Sequence, residues 1–119
     1  MESHLFFLLG FCFLLVHEMD AVRCQEWRIV FGLNRMGEQA GYHAFTALHV
    51  PLYAVLLWGL FESGDLNRGL VVGLDLFLVA HLALHVLLRN LAENLFRSAF
   101  SWAVILGAGL CGAIDLLLL

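Results

Sequence analysis

The chain has 119 residues, 62% of them hydrophobic and only 13% charged, with a formal net charge of −4 and no lysine. A soluble chain of this length has too little interior to hide so much apolar surface, whereas a bilayer accepts it directly. The lack of any basic cluster excludes nucleic acid as a partner, and three scattered cysteines (Cys12, Cys24, Cys111) make neither a disulfide framework nor a CxxC metal motif.

The expected architecture is all-α. It is one transmembrane domain over residues 1–119, an integral membrane four-helix bundle with antiparallel up-down topology and the lipid bilayer as its surroundings. The first helix is expected over 3–22. Glu2 and His4 stand where a signal peptide would carry basic residues. His17-Glu18-Met19-Asp20 falls where a small-residue cleavage site would lie, so the segment reads as a retained helix. Its uninterrupted apolar stretch, Leu5 to Val16, covers only about 18 Å at the helical rise. A full crossing therefore draws His17, Glu18 and Asp20 inside the membrane boundary, where ionisable side chains are costly and turn to protein or water.

Residues 23–31 read as an interfacial helix extension, with Trp27 as an anchor and Gly32 as its stop. Further spans are expected over 43–61, 69–88 and 100–119, each long enough for a hydrocarbon core of roughly 30 Å. Arg23, Arg28 and Arg35 fall in the first connector, Arg89 and Arg97 in the third, and only Arg68 in the second. This bias places the first and third connectors in the cytoplasm and both termini on the outer side.

That topology gathers five of the six histidines in the cytoplasmic half. His81 and His85 share one face of the third helix through their i, i+4 spacing. On the second helix Tyr42, Thr46, His49 and Tyr53 form one polar seam, and on the first His17, Asp20 and Cys24 fall on a similar stripe. His43 lies off the His49 stripe and close to water. Neutral imidazole is the commonest metal ligand, and carboxylates balance a divalent charge. His17, Asp20, His49, His81 and His85 are thus the candidate ligands of zinc, iron or manganese. Glu18, turned about 100° from His17 on the helix, is the candidate general base of a hydrolase or oxidoreductase acting on a lipid-soluble substrate. HEMDA is not a zinc-protease motif, since Ala21 stands where HExxH needs its second histidine.

Three competing readings stay open. The first is a b-type haem held by His49 and either His81 or His85. The second is a metal-free proton relay or transport component in which Asp75 and Asp115 line the outer end. The third is a structural accessory subunit. In the fourth helix, Gly109 with Ala113 and Ala108 with Gly112 form small-xxx-small pairs that permit close approach within the bundle or in a homodimer.

HEMDAVRCQEW at 17–27, HVPLY at 49–53, HLALH at 81–85 and FRSAFSW at 96–102 resemble a bacterial family of small four-helix membrane proteins of unknown function with an HExDAxRxxEW signature. There is a looser likeness to bacterial membrane proteins named for an HXXEE motif, with Asp20 and Ala21 where two glutamates would stand. The resemblance implies a four-helix protein of the bacterial inner membrane. It supplies no activity, substrate or cofactor.

Overall fold

A computed structural model describes residues 4–119, so the expected opening at residue 3 and the reading of Glu2 lie outside the described residues. The fold is all-α. Its four helices are α1 (Leu5–Arg23), α2 (Glu38–Phe61), α3 (Arg68–Leu87) and α4 (Ala99–Leu118), each long and apolar enough to cross a membrane. Asn67 and Ser98 start α3 and α4 by accepting hydrogen bonds from the backbone N–H groups of Leu70 and Ser101, which would otherwise lack partners.

The first connector departs from the expected interfacial extension. The chain leaves helical geometry after Arg23, Gln25 adopts a left-handed conformation (φ 55°), and two short 3-10 turns follow at Glu26–Arg28 and Leu33–Arg35. The cause is Trp27. Its ring is buried with Ala21, Cys24, Phe45, Phe96 and Ile105, and so it anchors the connector to the bundle. A straight helix would have aimed it elsewhere. Trp27 also explains why α2 opens at Glu38, ahead of its apolar run. The indole Nε1 donates to Glu38 at 2.6 Å, and Arg28 pairs with the same carboxylate at the helix N-terminus, where negative charge is favoured. Gly41 leaves room for the indole: a Cβ there would lie 2.8 Å from Trp27 Cδ1.

α4 is the central element and packs along both α1 and α3. The Phe7 backbone N–H donates to Asp115 at 3.2 Å, and the Ser101 hydroxyl donates to Asp20 at 2.5 Å, so α1 and α4 run antiparallel. The small residues of α4 seat α3 within the chain. A Cβ on Gly109 would lie 2.5 Å from Leu82 Cδ2, and one on Gly112 would lie 3.0 Å from both Leu78 Cβ and the Asp75 carbonyl. α2 stands at the edge. It meets the other helices through Phe45 beside Trp27 at one end and Leu60 beside Phe7 and Val71 at the other. Between these points Val50, Val55 and Trp58 face outward.

Candidate metal centre

α1 and α3 run parallel, since Phe7 lies near Leu74 at one end and His17 near His81 and His85 at the other. The i, i+4 spacing of His81 and His85 presents both imidazoles to α1, and the bend at Gln25 folds Glu26 back towards them. Three histidines from two helices and one glutamate from a turn thus converge.

One ligand atom from each of His17, Glu26, His81 and His85 can be chosen so that all lie within 4.8 Å of one another. The His81 and His85 Nε2 atoms are 3.2 Å apart, His85 Nε2 lies 3.6 Å from Glu26 Oε1, and His17 Nε2 lies 3.9 Å from Glu26 Oε2. Metal–ligand bonds of about 2.0–2.1 Å around a tetrahedral ion put neighbouring ligand atoms roughly 3.3 Å apart. The histidine pair matches that edge, and the contacts to Glu26 are somewhat longer.

The cluster is dry. His17 is fully buried, and His85 and His81 are 4% and 9% exposed. Phe96 covers both His17 and His85, with ring centroids 5.3 and 4.8 Å away. Neither ring nitrogen of His17 has a hydrogen-bond partner among the described residues, nor has Nδ1 of His81 or His85. Each such buried group costs about 1–3 kcal/mol if nothing satisfies it. Burial acts to raise the Glu26 carboxyl, but His85, together with His17 and His81, outweighs it and holds the carboxyl below its ordinary range. An acceptor-only carboxylate facing three imidazoles is a donor set for a divalent ion. A cavity of about 410 Å³, walled by Ile29, Phe31 and Leu84, reaches Glu26, His81 and His85 from outside.

A family model described as a family of unknown function, DUF6713, matches residues 3–119. The chain belongs to that family. No curated protein and no solved structure matches it. The family's description assigns no activity and no cofactor.

Of the ligands expected from sequence, His17, His81 and His85 are brought together, while Asp20 and His49 are placed elsewhere. Asp20 turns towards α4, where it accepts hydrogen bonds from Ser101 and from Arg23. His49 meets Glu18 across the α1–α2 interface, with Nε2 and Oε2 2.6 Å apart, and its Nδ1 lies 2.6 Å from the Phe45 carbonyl. Glu18, expected as a general base, therefore has an imidazole partner of its own on the opposite side of α1. His43 is exposed beside Gln39. Glu26 was absent from the expected set. On a continuous helix it would lie nine residues, or half a turn out of phase, from His17. Only the left-handed residue at 25 reverses it.

Proposed function

We propose that the protein is an integral membrane metalloprotein that holds one divalent transition-metal ion on His17, His81, His85 and Glu26. The supporting observation is the gathering of three buried imidazoles, with unpartnered ring nitrogens, around one carboxylate. Nitrogen-rich, near-tetrahedral spacing favours zinc, and iron or manganese are the other ions this donor set suits. His49 is a poor axial ligand for haem, because both its ring nitrogens are already engaged.

The ion supplies Lewis acidity at neutral pH. The protein positions the donors, excludes water with Phe96, and offers an apolar approach past Ile29, Phe31 and Leu84. That approach suits a hydrolase or oxidoreductase acting on a lipid-soluble substrate. Arg28 reaches Glu93 at 3.9 Å, so the arginine-bearing first and third connectors adjoin at the metal end. By the positive-inside tendency this end faces the cytoplasm and both termini lie outside. The bacterial inner membrane is the setting that the sequence resemblance implies.

The test is elemental analysis, with a visible absorption spectrum, of detergent-purified protein prepared without chelator. Wild type should carry close to one ion per chain, and His81→Ala/His85→Ala should carry none while keeping its helical content. A metal-free wild type, or a double variant that retains the ion, would rule the centre out.

A further inference from the structure

A second cavity, of about 480 Å³, lies on the other face of α1, between it and α2, with Leu15, Val22, Thr46 and Tyr53 among its walls. Met19 and Val50, also in its lining, are 75% and 73% exposed, so it opens sideways onto the apolar surface of the bundle. The volume falls within the range of about 300–1,000 Å³ typical of small-molecule sites.

The polar residues of the lining are the Glu18–His49 pair and the hydroxyl-bearing Thr46 and Tyr53. A carbonyl oxygen can only accept, so the hydrogen bond to Phe45 puts a proton on His49 Nδ1. The contact between Nε2 and Glu18 Oε2, at 2.6 Å, engages the second ring nitrogen, so His49 is closed off within the protein. Oε2 faces His49, which leaves Oε1 of Glu18 to meet a ligand. No arginine lines the cavity and the chain has no lysine, so an anionic head finds no counter-charge. A cationic head finds the one carboxylate of the lining already paired with an imidazole. The chemistry left is a neutral oxygen that exchanges hydrogen bonds, attached to an apolar body.

We propose that this cavity binds a neutral lipid-soluble molecule with a hydroxyl or carbonyl head, of the fatty-alcohol or quinone class, its head at Glu18 Oε1 and the Thr46 and Tyr53 hydroxyls and its body along Leu15, Val22 and Val50. The site is separate from the histidine–glutamate centre and does not depend on a metal there.

Native mass spectrometry of detergent-purified protein would test this with decylubiquinone and 1-dodecanol as probes and laurate as the charged comparator. Wild type should retain one molecule of at least one neutral probe, and whichever is retained identifies the source of the head. Val50→Trp, which fills the mouth from an exposed position, should lower retention at least ten-fold. Glu18→Leu/His49→Leu should lower it similarly while keeping the helical content. Failure of wild type to retain either probe would overturn the proposal, as would equal retention by Val50→Trp or retention of laurate as strong as that of the alcohol. Chelator-treated wild type should still retain the probe, so loss of this reading and loss of the metal reading are separately visible.

Discussion

The two ends of the bundle bury ionisable groups in opposite ways. At one end three imidazoles and the Glu26 carboxylate converge, with lone pairs in excess and few protons to share. At the other, Asp75 of α3 and Asp115 of α4 are fully buried, with the Phe7 N–H as a backbone donor to Asp115 and neither Asp75 oxygen partnered among the described residues. A proton on a buried carboxyl group turns an acceptor into a donor, which is the least that the aspartate end requires. The histidine end needs more, because its ring nitrogens come from different directions and a single proton reaches at most two of them. A divalent cation reaches all. The same bundle thus carries one end suited to a proton and one suited to a metal, and the donor types decide which.

The largest expected effect is on the metal end alone. Removing a neighbour of a metal ligand typically costs about 10–100-fold in affinity, so His17→Ala, which removes a ligand itself, should lower metal affinity by more than roughly 100-fold. Competition with a chromogenic chelator measures this, and the aspartate end should keep its thermal stability. Next, Gly109→Val strikes between the ends. With Leu82 Cδ2 at 2.5 Å from the position of the new Cβ, overpacking should cost about 1–3 kcal/mol in detergent unfolding and disturb both ends together. Glu26→Gln should weaken metal binding about ten-fold, whereas Glu18→Gln should leave it unchanged. A Glu18 effect as large as that of Glu26 would mean that the two faces of α1 form one site. Smallest of all, Asp75→Asn, which keeps the shape and exchanges one buried polar group for another, should change stability by about 1 kcal/mol or less and leave metal content intact. Loss of metal in that variant would break the separation of the ends.

Sequence reading located the helices well because hydrophobic length is local information. Arg68–Leu87 and Ala99–Leu118 begin and end within a residue of their expected bounds, and Leu5–Arg23 ends one residue beyond its own. It failed where a single tertiary contact overrules periodicity. α2 opens at Glu38 because Trp27 and Arg28 hold that carboxylate, a partnership no helical pattern encodes. His81 and His85 were legible from spacing and His17 from its place at the end of an apolar run. Asp20 was grouped with His17 because both lie on one side of α1. The structure splits that side, sending His17 to α3 and Asp20 to α4. His49 lay at the right depth, but α2 docks against the opposite face. Glu26 was hidden because it belongs to no helix. The useful sign was Gln25-Glu26-Trp27 itself, where a large aromatic so close to a helix end invites a turn that buries it.

The left-handed residue at Gln25 also bears on the order in which the protein is made. His17 and Glu26 are close in the chain, and the bend that joins them closes a very short loop, so little chain entropy opposes their meeting. Both emerge from the ribosome well before His81 and His85. A nascent chain therefore displays half of the cluster early and completes it only when α3 docks, so an ion held as proposed would load late in biogenesis and would be a chemical record that the helices have assembled.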